Sequence, residues 1–569
     1  MSKIIGIDLG TSTSEVACLQ DGKPILIPNL HGGRITPSIV YINAEGEIKV
    51  GEDASSYAVL EPENTVIEVK RLMGAGETLR IGGKTMRPQE VSACILTYLK
   101  QSAEIFLGEP VAEAVITVPA YFTNEQRVAT KEAGELAGFR VERIINEPTA
   151  AALAYGLEHM RDQKHVLVYD LGGGTLDVTI LEMFEGVLDV KASCGNNQLG
   201  GKEFDEAIIA ALTSEFQNEH GLSLRENRKA MARLKEAAEK AKIELSSART
   251  ALIDLPFLAA REDGKPVGMH REITRKELER LIGAMVRSTM TQVDTVLADA
   301  GLKPDDIGTI LLVGGSTRIP LVKKVLSEKM GQEPLPEVNP DEAVALGAAI
   351  QAGIKSGELA GENDIIITDV CPYSLGIECA MNLGDFSMPG FLDVLIVRNT
   401  TIPVSAKKRY QTYSDDQEEA HIHVYQGERL IAAENNSIGD FLIGGIPVAA
   451  AGEEKLDVEF SYDINGILEV NATVVKTGAD ARITIDTSGI KPEAEIDPET
   501  WRETKYAKRI KPLIRKTEKK IGSLKEDSDF RAELEYLLYE LKYAMVKAYE
   551  AHVRKFEDIL TDRLYGAED

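Results

Sequence analysis

Up to about residue 360, short apolar runs of strand length alternate with longer stretches whose apolar residues recur at helical spacing, the pattern of α/β domains. From Cys371 to about Ile490 the pattern changes to apolar and polar alternation, and 395–397, 421–425 and 455–459 all read as strands. Residues 462–468 carry the Asn465-Gly466 pair that a type I′ hairpin turn needs. Beyond it, Asp497-Pro498 supplies an N-cap and a first-turn proline. Phe530, Leu534, Leu537, Leu541, Met545, Tyr549, Val553 and Phe556 then repeat at helical spacing, which predicts a helical hairpin or small bundle of roughly 70 residues. Between the α/β and β regions lie a polar Gly/Glu stretch at 356–363 and a short apolar segment, Ile365-Ile366-Ile367, set between acids.

One internal repeat carries chemistry. The segment from Ile4 through Asp8-Leu9-Gly10-Thr11 to Val16 lines up with the segment from Val166 through Asp170-Leu171-Gly172 to Val178. Each copy reads strand, Asp-Leu-Gly, two small residues, Thr, then a second strand. Glycines let the backbone close on an anion, so that successive N–H groups and hydroxyls can hold phosphate oxygens. An Asp at a strand end beside that anion suits hydrated Mg²⁺, which keeps several waters and few carboxylates. A single such turn is an ordinary hairpin about as often as not; two matching copies predict two phosphate loops brought face to face.

Other candidates are weaker. The run from Gly195 to Glu203 superficially resembles a P-loop but fails: Gly201 intrudes before Lys202, and Glu203 stands where Ser or Thr must be. Residues 311–320, with Gly314-Gly315-Ser316, form a buried strand breaking into a glycine turn. On spacing alone this is equally a tight βα connection or a close backbone approach to a nucleoside. Glu239, Lys242 and Ser246 share one helix face, which by itself is a solvated stripe. Lys70 and Glu147 are unremarkable as isolated charges.

At 569 residues the chain exceeds a single core, so three or four domains are expected. A net charge of −27 argues against nucleic acid or an anionic membrane as partner. The five cysteines include no CxxC pair and read as idle or buried thiols in a reducing compartment. The start is too short for a signal-peptide core, and no apolar run reaches about 18 residues, so a cytoplasmic location is expected.

Taken together, Val118-Pro119-Ala120-Tyr121-Phe122, Ile145-Asn146-Glu147-Pro148-Thr149, the two Asp-Leu-Gly turns, Val313-Gly314-Gly315-Ser316-Thr317-Arg318 and Asn339-Pro340-Asp341-Glu342 occur in an order that resembles the DnaK-type (seventy-kilodalton) heat-shock chaperones. Asn399-Thr400-Thr401-Ile402-Pro403 and Val424-Tyr425-Gln426-Gly427 extend the likeness to about residue 490, and the short C-terminus is most similar to the bacterial HscC-type members. The resemblance implies a multidomain chain with an actin-like α/β ATPase domain of two lobes at 1–363 and a linker at 364–370. A β-sandwich peptide-binding domain at 371–495 and a shortened helical lid at 496–569 follow. It implies an ATPase that binds and releases extended apolar segments of unfolded clients and is stimulated by a J-domain cochaperone, with an exchange factor as a further candidate partner. The implied cofactors are ATP or ADP and Mg²⁺, with K⁺ a further candidate ion.

Residue by residue, the resemblance assigns Asp8 and Asp170 to Mg²⁺ through water. Gly10, Thr11, Ser12, Gly172, Gly173, Gly174 and Thr175 go to the phosphates. Lys70 goes to the γ-phosphate and the attacking water, Glu147 and Thr175 to positioning that water, with Asp177 close behind. Glu239, Lys242, Ser246, Gly314, Gly315, Ser316, Arg318 and Asp341 frame the nucleoside. Pro119 and Arg127 relay nucleotide state, and Arg143 meets the J-domain. Ile377, Ala380, Tyr413, Ala420 and Ile422 line the peptide site, where Ala420 replaces the usual Val. Three departures stand out: Ile243 beside Lys242, Thr368 in place of the linker's last leucine, and the short lid. An actin-like filament protein or a sugar kinase shares the nucleotide fold, but neither explains residues 364–569.

Overall fold

The apolar run at the start forms the strand Ile4–Leu9, which pairs antiparallel with Thr13–Gln20 and parallel with Glu113–Val118. The computed structural model describes residues 3–157, 159, 163–261, 264–335, 339–359, 365–383, 386–484, 501–502, 504–524, 529–546 and 550–565. The second copy of the repeat is built the same way. Lys164–Leu171 pairs antiparallel with Leu176–Phe184 and parallel with Ile307–Val313. The sheet orders match: a parallel neighbour on one side, the hairpin partner on the other, and an antiparallel continuation by Lys23–Leu26 in one sheet and Val187–Asn196 in the other. The aligned sequences therefore fold into aligned sheets. Central strands of this kind are buried on both faces, which is why they read as continuous apolar runs rather than alternating ones.

Two helices join these sheets. Ala343–Ser356 lies so close to the first strand that a Cβ on Gly6 would fall 2.2 Å from Ala349 N, and one on Gly347 would fall 1.7 Å from Ala150 O in Glu147–Gly156. Glycine is required at both positions because backbone occupies the space a side chain would need. Ala150, Ala151, Ala152, Ala348 and Val168 close the apolar core there.

The apolar stretch before Asp369 continues the second sheet. Ile366–Ile367 adds as a parallel strand to Val187–Asn196, with Ile366 N donating to Gly186 O at 3.0 Å and Thr368 N to Leu188 O at 3.0 Å. The Thr368 hydroxyl donates to Asp189 Oδ1. The threonine that breaks the apolar pattern has thus found a polar partner on the strand it docks against. Residues 360–364, including the first residue of the expected linker, lie outside the described residues.

In the β region, Val404–Gln411, Lys455–Tyr462, Leu468–Val474 and Asp480–Thr484 form an antiparallel sheet in that order. Lys455–Tyr462 and Leu468–Val474 bury every second residue, including Val458, Phe460, Val470 and Ala472, as half-buried strands must. The expected hairpin is present, but its turn differs from the type I′ expectation. Gly466 alone of the Asn-Gly pair has positive φ, at 72°, and its N–H donates to Asp463 O at 3.0 Å. The cause is Asp463, whose Oδ1 accepts from Asn465 N at 2.9 Å and Ile467 N at 2.8 Å and holds Asn465 out of the left-handed region.

Contacts divide the chain into two units. The first gathers Met1–Gly376, Val394–Val424 and Ile438–Ile490; the second gathers Ile377–Asp393, Tyr425–Ser437 and Lys491–Asp569. In the second unit, helices Ala507–Ile521, Asp529–Val546 and Glu550–Tyr565 bury Leu534, Leu537, Leu541, Met545, Val553 and Phe556, the residues the helical spacing selects. Trp501 is 3% exposed within the same core, beside Phe391 and Ile431. The Asp497-Pro498 cap and the side chains of Phe530 and Tyr549 lie outside the described residues. No helix among the described residues is long and apolar enough to cross a membrane.

Candidate functional site

The two Asp-Leu-Gly turns meet. A Cβ on Gly173 would stand 2.2 Å from Ser12 Oγ, and one on Gly174 would stand 3.3 Å from Thr11 Cγ2 and 3.0 Å from Arg71 Cδ. The cradle is therefore made of backbone that only glycine leaves open. Gly10 closes tightly on its own turn, a Cβ there lying 2.1 Å from Thr13 O. Thr11 and Thr175 are buried in the two turns.

A cluster of acids lies beneath the turns. Asp8 is the penultimate residue of the first strand, and its Oδ1 accepts from Thr117 Oγ1 at 2.8 Å. Asp170 holds the equivalent place in the second hairpin, paired across the strands with Asp177. Asp177 Oδ1 accepts from Tyr121 N at 2.9 Å, while its Oδ2 is buried with no hydrogen-bond partner. Glu147 begins the helix Glu147–Gly156, where helix-end N–H groups favour a carboxylate. Lys70 reaches it from the 3-10 helix Val69–Leu72, with Nζ 2.5 Å from Glu147 Oε1. Glu68, two residues before Lys70 and at φ 57°, has its carboxylate gripped by Lys235 at 2.5 Å and Lys202 at 3.2 Å.

Electrostatically the cluster is unbalanced. Burial, then the charge of Glu147, pushes Asp8 up to about 7 against the opposing pull of Lys70 and Thr117. The same two causes push Asp177 up to about 7. Burial and the charges of Glu147, Asp177 and Asp8 hold Asp170 well above the ordinary carboxylate range. Four carboxylates face Lys70, with the Arg127 guanidinium pulling only on Asp177 besides, so the site is short of positive charge. An orphaned, buried Asp177 Oδ2 and two raised aspartates are what a hydrated divalent cation would satisfy, and an all-oxygen donor set suits Mg²⁺. The residues fit that ion.

Around this centre the structure gathers further predicted residues. Ser316 Oγ donates to Gly172 O at 2.8 Å. Gly314, at φ 80°, approaches so closely that a Cβ would lie 2.8 Å from Asp170 Oδ1. The same Cβ would lie 2.5 Å from Leu171 O, so the Gly314 turn packs tightly on the end of the second copy's strand, beside a short 3-10 turn, Gly315–Arg318. Arg318 donates through Nε at 3.0 Å and Nη2 at 2.5 Å to Asp341 Oδ2. Lys242 is buried and donates to Gly201 O at 3.0 Å and Asp205 Oδ2 at 2.8 Å. Glu239 is half-buried on the same helix, and Ser246 Oγ turns back onto Lys242 O at 3.2 Å. Ile243, next along, is 63% exposed, an apolar surface beside these polar groups.

Sequence reasoning missed several contributors. The discarded run around Gly200-Gly201 packs on the second turn: Gly201 N donates to Gly172 O at 3.0 Å, Lys202 N to Gly173 O at 2.9 Å, and a Cβ on Gly200 would lie 2.5 Å from Gly174 N. Those glycines let a helix start seat against the second Asp-Leu-Gly turn. Arg71 is fixed by Glu203 at 2.7 Å. Thr117, Arg71 and Asp205 carried no local signal, because their partners are remote in sequence.

Other predicted residues lie elsewhere. Arg127 is buried, its Nη2 donating to Ala120 O at 2.9 Å and Asn146 Oδ1 at 2.7 Å, next to the Pro119 segment. Arg143 is not a solvated surface arginine. Its Nη1 donates to Gln351 Oε1 at 2.6 Å and its Nε is buried without a partner; burial lowers its pKa and the nearby Asp369 opposes this. Tyr413 is 55% exposed, while Ala420 and Ile422 lie on the strand Glu419–Gln426, in the first unit. Ile377 and Ala380 lie on Leu375–Leu383, in the second unit. A family model described as Hsp70 protein matches residues 4–80 and 75–563 of the chain.

Proposed function

The chain belongs to the Hsp70 family, and from that membership we propose that it is an ATP-driven chaperone of the HscC-like kind, hydrolysing ATP in the cleft between two actin-like lobes. The lobes are the paired sheets of 1–363, followed by a linker at 364–370, a β-sandwich that binds peptide at 371–495 and a helical lid at 496–569. Family membership supports a chaperone that binds ATP and unfolded polypeptide. The observation that carries the finer reading is the meeting of the Gly172–Gly174 and Gly10–Ser12 turns above the Lys70–Glu147 pair.

In this reading Gly10, Thr11, Ser12, Gly172, Gly173 and Gly174 hold phosphate oxygens through backbone N–H groups and hydroxyls. Gly314, Gly315, Ser316, Arg318, Asp341, Glu239, Lys242 and Ser246 frame the nucleoside. Asp8 and Asp170 would hold Mg²⁺ through its waters, and the ion would supply neutralisation of phosphate charge. Lys70 sits where its ammonium can meet a terminal phosphate oxygen and orient water. Glu147 and Thr175 hold that water for in-line attack, and Asp177 fixes the Tyr121 backbone behind them. Catalysis then rests on positioning and preorganised charge, as phosphoryl transfer requires.

Ile377, Ala380, Tyr413, Ala420 and Ile422 are proposed to contact an extended apolar segment of the client. Arg127 and Pro119 are proposed to relay nucleotide state between the lobes. Arg143 is the proposed contact for the acidic loop of a J-domain, which requires its guanidinium to leave Gln351. The cytoplasm, K⁺ and an exchange factor complete the reading.

The test is release of a fluorescent extended apolar peptide. ATP with Mg²⁺ should speed release many-fold over ADP. Equal release rates in the two nucleotides, with hydrolysis intact, would leave an ATPase uncoupled from polypeptide and defeat the proposal.

A further inference from the structure

The strand Glu419–Gln426 buries Ile422 and Val424 and turns its alternate residues, His421 and His423, to the opposite face. The neighbouring strand, Asn436–Gly444, brings Asp440 beside them. His421 Nε2 is 2.5 Å from Asp440 Oδ2, and the imidazoles of His421 and His423 stand 4.0 Å apart, centroid to centroid, at 45°. One donor atom from each of the three residues lies within 4.8 Å of the other two.

We propose that His421, His423 and Asp440 form a binding site for a divalent transition metal of the zinc class, separate from the nucleotide centre. Two imidazole nitrogens and one carboxylate oxygen are borderline donors, which favour Zn²⁺ and its neighbours over Mg²⁺ or Ca²⁺ with their all-oxygen shells. In a tetrahedral site with bonds of about 2.0–2.2 Å, donors stand roughly 3.4 Å apart. The three donor atoms already lie within 4.8 Å of one another, so the adjustment that such an ion requires is small. The His421–Asp440 contact marks where a metal would replace the shared proton.

Chain geometry favours the site. Residues two apart on a strand share a face, so His421 and His423 are pre-aligned, and the neighbouring ladder fixes Asp440 at cross-strand distance. His421 and Asp440 are exposed, so an ion enters without unfolding. Three protein donors leave the fourth position open to water or an external ligand. The chain's net charge of −27 raises the local concentration of cations. A hydrogen-bonded His–Asp pair alone would use His421 and Asp440 but leave His423 without a role.

The experiment titrates Zn²⁺ into the untagged full-length chain against a chromophoric chelator, for wild type, His421→Gln, His423→Gln and Asp440→Asn. Thermal melts of the zinc-free proteins check that each variant folds. We expect one equivalent bound by wild type, with each substitution lowering that affinity at least about tenfold. X-ray absorption of the loaded protein should report two imidazoles in the zinc shell, and Mg²⁺ in excess should not displace it. Zinc affinity unchanged across the three folded variants, or no equivalent taken up by wild type, would overturn the site.

Discussion

Gly173 and Ser12, far apart in sequence, meet so closely that a Cβ on the glycine would stand 2.2 Å from the serine Oγ. The contact joins the two halves of the internal repeat, and the gap it leaves is what the proposed phosphates enter. Gly173→Ala should therefore push Ser12 out of the cradle. Equilibrium titration should find ATP affinity reduced at least about tenfold, or about 1.4 kcal/mol. Its melting temperature without nucleotide should stay near wild type, because the alanine intrudes on the cradle and not on the apolar core. Unchanged ATP affinity would mean that the two turns do not share a ligand.

Much of this centre was legible because it is local and repeated. Asp8 and Asp170 stand at strand ends in matching strings, and identical local strings give identical hairpins. Gly200-Gly201 was misjudged because its motif was tested against one phosphate-binding loop, whereas its chemistry is close packing against another loop 26 residues or more away. The Asn465-Gly466 turn was read from its central pair, while Asp463, two residues before that pair, decided its type. Nothing in the local sequence of Arg143 or Thr368 points to the side chains they meet. Their partners, Gln351 and Asp189, are 208 and 179 residues away, beyond any window of sequence pattern.

Thr368 yields a prediction of its own. Its hydroxyl donates to Asp189, and its N–H and that of Ile366 complete the parallel edge of the sheet. Thr368→Val keeps the shape and removes the hydrogen bond, at a net cost of about 1 kcal/mol. Amide exchange at Ile366 and Thr368 should quicken about fivefold in the ATP form, with the central strands unaffected. Exchange as slow as in wild type would mean that the hydroxyl does not hold the strand.

Trp501 offers an optical readout, being the chain's single tryptophan and 3% exposed in the core it shares with Tyr506 and Ile510. Any rearrangement that unpacks the C-terminal helices must hydrate the indole. ATP should shift its emission to longer wavelength, whereas ADP should leave it unchanged. Identical spectra in the two nucleotides would mean that this core does not respond to ATP.

Client choice should depend on Ala420. It lies on the strand that also carries Ile422, and if the proposed peptide site has the larger Val that the resemblance implies for other members, the two methyl-sized carbons it lacks would be worth on the order of 1–2 kcal/mol to a side chain that fills their place. In the ADP form, peptides with a central Phe should bind more tightly than those with Leu, and Ala420→Val should reverse the order. A preference that survives Ala420→Val would remove the enlarged pocket as its cause.

The central claim is that Lys70, 2.5 Å from Glu147 among four carboxylates, acts on the transition state of ATP hydrolysis rather than on ATP binding. Single-turnover hydrolysis by Lys70→Ala, with ATP affinity measured on the same preparation, tests this most directly. The account predicts that hydrolysis slows by a factor of about 100 or more while affinity changes by less than about tenfold. A hydrolysis rate within about tenfold of wild type would contradict it.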